Sequence, residues 1–167
     1  MSARIDRLLR RLVASRPTRL IEVGGAPYLA RVYLWHRGGW RVYLHRFISP
    51  DGDRHLHDHP FGAFSVVLSG GYSEERMVAL DMPAPKFRVR RVRWFNWIPA
   101  QVFHRIAETD RGTWTLFINA PHRKRWGFLQ AHPEGVLYTN PFDDTGLGGG
   151  AHWWKTAPAF SALGLDL

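Results

Sequence analysis

After Pro17 the chain breaks into short apolar or alternating runs separated by turn residues, and this pattern constrains the fold more than any other feature of the sequence. The runs recur at roughly the ten-residue spacing of one strand plus one turn, which predicts an all-β sandwich or barrel. Candidate strands cover Arg19 to Val23, Tyr28 to Trp35, Trp40 to Ile48, Ala63 to Leu68, Tyr72 to Leu80, Lys86 to Val92, Trp94 to Ile98, Val102 to Glu108 and Thr113 to Asn119, with a shorter one around Trp126 to Leu129. The turn signals between them are Gly24-Gly25, Gly38-Gly39, Asp51-Gly52, Gly70-Gly71, Pro83 to Pro85 and Arg111-Gly112. Gly70-Gly71 reads as a hairpin. Ahead of this region, Ile5, Leu8, Leu9, Leu12 and Val13 recur at helical spacing, with Arg4, Arg7, Arg10 and Arg11 between them. That spacing predicts one amphipathic helix covering an end of the sheet structure. Beyond residue 140 the composition turns to Gly, Asp and Pro, and an irregular tail is expected whose Trp153 and Trp154 pack back on the body.

Several function classes fall away on composition. The 167 residues are 45% hydrophobic and predict one domain with a real core. Its expected parts are a helix in 1–16, a barrel over 19–140 and an irregular tail over 141–167. With no cysteine, thiolate catalysis, zinc-finger sites and iron–sulfur ligation are excluded. A metal would need histidine, carboxylate or backbone oxygen. No apolar run reaches the length of a membrane-spanning helix and no signal-type apolar segment follows Met1, so a cytoplasmic protein without a membrane partner is expected. The net charge of +9 arises from 23 basic against 14 acidic residues and favours anionic ligands in general. Lys86, Arg88 and Arg90 share one face of a basic strand, read as a solvated face or protected edge in preference to a nucleic-acid contact.

Three of the nine histidines occur as His55-Leu56-His57-Asp58-His59. In an extended segment alternate side chains share a side, so the three imidazoles project together, opposite Leu56 and Asp58. Two imidazoles at i and i+2 of a strand can reach one ion. Downstream come Pro60-Phe61-Gly62, an apolar strand, Gly70-Gly71, and later Pro99-Ala100-Gln101-Val102-Phe103-His104.

Over residues 50–108 these segments resemble the cupin superfamily, whose motifs read G(x)5HxH(x)3-4E(x)6G and G(x)5PxG(x)2H(x)3N. His57 and His59 fall on the two histidines of the first motif and Gly71 on its last glycine, with Gly52 one residue off the opening glycine; Pro99 and His104 match the second. Phe64 stands where the family carries glutamate, Arg93 and Gln101 replace glycines, and Glu108 replaces the final asparagine. Glu74 is not an obvious substitute carboxylate, because it lies past the Gly70-Gly71 turn. The resemblance implies a double-stranded β-helix, or jelly-roll barrel, with a divalent metal on His57, His59 and His104, as in thiol dioxygenase-type cupins. His55 is a candidate fourth ligand or a group behind the ligands. Tyr43, His45, Phe64 and Gln101 are candidate pocket residues, while His122 is expected at the surface.

Three neutral imidazoles leave a dication uncompensated and favour an anionic ligand. The expected function is therefore a metal-dependent oxidoreductase of dioxygenase type, with Fe(II) favoured over Zn or Ni, acting on a small anionic chelating substrate. Catalytic side chains are not assignable from the sequence. The alternatives are a cupin sugar isomerase or epimerase working through a His or Tyr base, and a non-enzymatic ligand-binding or nucleic-acid-binding module. A homodimer is what the family resemblance implies.

Overall fold

Strand alternation decides which residues meet in this chain, because each strand sends one set of side chains into the barrel and the other outward. The computed structural model describes residues 2–23, 25–49, 56–80, 85–132, 135–139 and 152–165. Among them the chain forms α1 (Ser2–Val13) and twelve strands: β1 (Thr18–Val23), β2 (Ala26–Arg37), β3 (Trp40–Phe47), β4 (Leu56–Asp58), β5 (Ala63–Ser69), β6 (Tyr72–Ala79), β7 (Lys86–Val92), β8 (Phe95–Ile98), β9 (His104–Thr109), β10 (Trp114–Asn119), β11 (Gly127–His132) and β12 (Gly135–Thr139).

The strands build two six-stranded sheets, ordered β1-β2-β3-β10-β5-β8 and β12-β11-β4-β9-β6-β7. Their pairings are antiparallel throughout. This is the all-β barrel that the turn spacing predicts, in the jelly-roll form that the cupin resemblance implies. β12 extends the barrel past the last strand expected from the sequence.

The turn at Gly70-Gly71 differs from expectation. It is not a hairpin: β5 pairs with β10 and β8, whereas β6 pairs with β7 and β9 in the other sheet. The chain therefore crosses between sheets there. Gly70 has φ 73°, and a Cβ on Gly70 would strike Thr113. Both the left-handed backbone and the close approach require glycine. Gly38-Gly39, by contrast, does close the β2–β3 hairpin, with φ of 57° and 83°, the sense that suits a two-residue turn between twisted strands.

Alternation splits β2, β3 and β10 between two cores. Ala30, Val32, Leu44 and Trp114 face α1 and pack with Val13 and Phe160. Their neighbours in sequence turn inward: Leu29 and Phe47 join Tyr28 in one cluster, while Tyr43 and Phe117 join Phe61, Ala63 and Ile98 in another. The helix is amphipathic but buries a narrower stripe than expected, since Leu8 and Leu12 are 57% and 65% exposed. Its polar Asp6 does the anchoring. Asp6 accepts hydrogen bonds from Trp114 Nε1 (2.8 Å), Arg46 Nε (3.3 Å) and Arg10 Nε (2.8 Å).

The C-terminal segment packs back as expected. Short 3-10 turns at Trp153–Lys155 and Phe160–Leu163 place Trp154 on Tyr33, with ring centroids 4.5 Å apart, and Trp153 against Tyr43. The remainder of the expected tail, 141–151 and 166–167, lies outside the described residues. Among the described residues no helix is long and apolar enough to cross a membrane.

Burial alone would raise the Asp6 pKa, but the hydrogen bonds from Trp114, Arg10 and Arg46 and the Arg10 charge outweigh it and hold it below the ordinary aspartate value. Asp6→Ala also strands Arg46, which is 2% exposed. A loss of about 2–4 kcal/mol in urea unfolding is expected. A depressed folded pKa contributes stability above the unfolded value, so the wild-type advantage should shrink as pH falls through about 4 and below. A constant difference from pH 7 to pH 3 would contradict this.

Candidate metal centre

The second sheet brings its histidines together through one short contact. β4 has only three residues, and it pairs with β9 at a single position, His57 opposite His104. On its other side β4 pairs with β11 through Leu56, His57 and Asp58. Asp58 locks this position by accepting from Gly127 N–H at 2.8 Å and pairing with Lys124 Nζ at 2.5 Å. His59 follows two residues after His57 and returns to the same side. The ligand-capable nitrogens of His57, His59 and His104 lie within 4.8 Å of one another. All three side chains are buried. His55 lies outside the described residues.

A carboxylate stands behind the triad at a position that sequence reasoning set aside. Glu74 is fully buried, and its Oε1 accepts from His104 Nδ1 at 2.8 Å. The expectation that Glu74 lay remote from the site rested on a β5–β6 hairpin. Because β6 instead pairs with β9, Glu74 sits opposite Ile106 and Arg76 opposite His104. Arg90 Nε (2.7 Å), Arg76 Nη2 (3.2 Å) and Asn96 Nδ2 (3.0 Å) also donate to Glu74. Burial would push this carboxyl up; the hydrogen bonds from His104, Asn96 and Arg90 reverse that and hold it far below the usual carboxylate range. An ionised Glu74 only accepts, so the His104 proton sits on Nδ1 and the lone pair on Nε2.

That Nε2 faces Nε2 of His59 at 2.7 Å. Two imidazole nitrogens so close share either a proton or a cation between their lone pairs. A carboxylate behind a ligating histidine, fixing its tautomer, is the usual support of a metal-bound imidazole. The donor set thus fits a divalent metal.

The triad opens into a cavity of about 70 Å³ between the two sheets. Ile21, Leu29, Phe47, Ile98, Ile106 and Phe117 make it largely apolar, and Trp126 stands 4.6 Å from the His59 ring. Of the expected pocket residues, His45 lines this cavity; Tyr43 lies just behind, buried in the Phe61–Phe117 cluster. Phe64 and Gln101 do not line it. Strand alternation turns Phe64 to the outer face, where it stacks on Phe95, and Gln101 is exposed on the turn before β9. His122 is exposed and contacts Arg41 Nη1 at 3.0 Å. In the basic strand, Arg90 turns inward to Glu74 while Lys86 and Arg88 remain exposed on the edge strand β7.

Sequence reasoning missed Arg31 and Thr115, which also line the cavity. Arg31 is opposite His45 across β2 and β3, and Thr115 is opposite His45 across β10 and β3. The one available signal was a lone arginine at an inward position of β2, between Leu29 and Tyr33. Arg31 Nε donates to His45 Nε2 at 3.1 Å, and burial followed by the Arg31 charge lowers the His45 pKa well below its ordinary value. His45 is therefore neutral, with its proton on Nδ1. It should stay uncharged at about pH 5.5, where an ordinary imidazole is mostly protonated. Imidazole 15N shifts check this; a charged His45 at that pH would contradict the assignment.

No protein-family model matches the sequence, and no curated protein matches it. Solved structures do share the fold. Streptomyces albus HEPD with 2-hydroxyethylphosphonate and Fe(II) bound is 10% identical, with a TM-score of 0.52 over 65% of this chain and 24% of that one. Fe(II)-HppE with the alternative substrate (S)-1-HPP is 15% identical, with a TM-score of 0.49 over 64% of this chain and 56% of that one. An RmlC-like cupin from Shewanella frigidimarina NCIMB 400 is 17% identical, with a TM-score of 0.43 over 64% of this chain and 86% of that one. The chain thus spans about half of HppE and about a quarter of HEPD. Two facing antiparallel sheets with a histidine triad on an inner wall make this chain a jelly-roll barrel, similar in fold to HEPD.

Proposed function

We propose that this protein is a metal-dependent oxidoreductase that holds Fe(II) on His57, His59 and His104 and oxidises a small anionic substrate bound in the adjoining cavity. The observation that carries this reading is the His104–Glu74 pair: the carboxylate presents the lone pair of a buried imidazole to two other buried imidazoles. HEPD, which shares the barrel, binds Fe(II) together with a small phosphonate.

Bound iron would supply redox chemistry and open coordination positions for an anionic chelating substrate. The protein's own residues do the rest. Glu74 keeps the His104 proton on Nδ1, away from the metal side. Trp126, Phe61 and Phe128 pack around the imidazoles and exclude water from them. Substrate enters a cavity with no aspartate or glutamate among its described lining residues, so an anion meets no like charge there.

The metal-free isomerase alternative needs a base aimed at the substrate. His45 is poorly suited, since its Nε2 lone pair already accepts from Arg31. The nucleic-acid alternative loses Arg90, which is committed to Glu74.

Elemental analysis of anaerobically purified protein should find about one equivalent of iron. His57→Ala and His104→Ala should each abolish stoichiometric binding while His122→Ala retains it; full occupancy in both site variants would sink the assignment. Glu74→Gln should weaken metal affinity about 10- to 100-fold in a chelator competition, with the triad intact. Oxygen uptake with small amino, hydroxy and thiol acids then tests turnover. Occupancy by zinc alone, with no oxygen consumption after iron reconstitution, would overturn the redox part.

A further inference from the structure

Alternation along β8 gives its two faces opposite fates. Asn96 and Ile98 turn inward and are buried, and Asn96 donates to Glu74. Phe95 and Trp97 turn outward and stay 64% and 54% exposed. On the neighbouring β5 the outward set is Phe64, Val66 and Leu68, with Phe64 opposite Trp97 and Val66 opposite Phe95. Trp94, at the turn into β8, is 79% exposed, more than any other large apolar side chain among the described residues. Elsewhere on this sheet the outer face is covered, because α1 packs over β2, β3 and β10. The helix reaches β5 but leaves the outer face of β5 and β8 largely open.

The open side chains adjoin one another, and Phe64 stacks on Phe95 with centroids 5.7 Å apart. Together Phe64, Leu68, Trp94, Phe95 and Trp97 expose roughly 500 Å², at the upper end of what a monomer leaves uncovered. The helix adds to the same side. Leu8 and Leu12 stand one turn apart on its solvent face, flanked by exposed Arg4, Arg7 and Arg11, and exposed Arg93 precedes Trp94. Negative charge is absent from these positions. The one acid of α1, Asp6, faces the body and is held by Arg10, Arg46 and Trp114, and the outward residues of β5, β8 and β10 include no aspartate or glutamate.

We propose that this side of the barrel docks on an anionic lipid bilayer, with Trp94, Phe95, Trp97, Leu8 and Leu12 entering the boundary between headgroups and acyl chains and the arginines pairing with lipid phosphates. Indole and phenyl rings settle at that depth, and arginines close to an anionic surface add attraction. A second copy of this chain fits the patch poorly. It would set arginine against arginine, and roughly 500 Å² falls short of the roughly 800 Å² per partner of a stable pair. Single-stranded nucleic acid would want rings to stack on, which Leu8, Leu12 and Leu68 do not offer. Lying against a bilayer needs no spanning helix. None of the docking residues lines the cavity, so the proposal is independent of the metal assignment.

The test sediments the full chain with sucrose-loaded vesicles of phosphatidylcholine alone or of an equimolar mixture with phosphatidylglycerol. Binding to the anionic vesicles should be at least about tenfold tighter than to the neutral ones and should weaken as salt is raised. Trp94→Ser combined with Trp97→Ser should weaken anionic-vesicle binding at least about tenfold. Arg7→Glu combined with Arg11→Glu should remove the preference for anionic vesicles, and it serves if the tryptophan pair does not fold. Phe87→Ser, on the outer face of the other sheet, should leave binding unchanged. No vesicle binding, equal affinity for both compositions, full binding by the tryptophan pair, or an equal loss in Phe87→Ser would each overturn the docking face. So would a dimer in sedimentation velocity that the tryptophan pair dissociates, since a second copy would then cover the patch.

Discussion

The site depends on one antiparallel register, His57 opposite His104. β4 is too short to be held by its own ladder, so its position is imposed from both sides, by β11 through Asp58 and Gly127 and by β9 at the histidine pair itself. That single contact joins β12 and β11 to the rest of their sheet. The same pairing that completes the sheet therefore also converges the imidazoles, and a change that shifts β4 by one residue would send His57 and His59 to the other face.

Behind this register, a buried ionic cluster holds the orientation of the rings. Glu74 has no solvent exposure yet is surrounded by His104, Arg76, Arg90 and Asn96. Asn96 further donates to Tyr72 Oη at 3.1 Å, tying the first sheet to the second. A buried charge of this kind is tolerable only when its hydrogen bonds are met, and its removal would leave arginine charge stranded near the site. Rigidity at the triad and cohesion between the sheets thus have one cause.

Much of this was legible before any coordinates. Period-two alternation and glycine turns announced an all-β barrel, and the cupin resemblance of the H-x-H segment and the later Pro99-to-His104 segment implied the three imidazoles that the structure brings together. Phe64 shows where such reading stops: a motif count put it at a ligand position, but its outward set on β5 removes it from the cavity. Arg31 and Thr115 carried no linear signal, because they are far apart in the chain and become a row only through strand pairing with His45.

The sequence by itself determined the all-β class, the helix ahead of the barrel and the closeness of His57 and His59, since these follow from local periodicity and close spacing, while His104 joined them through the cupin resemblance. Only the tertiary structure decided that Gly70-Gly71 is a crossing between sheets, that Glu74 stands behind His104, and that a polar row faces the triad across the cavity. The physical reason is common to all three. Which strand pairs with which is settled by the burial of whole sheet faces and the satisfaction of buried charge, and both are sums over residues distant in sequence.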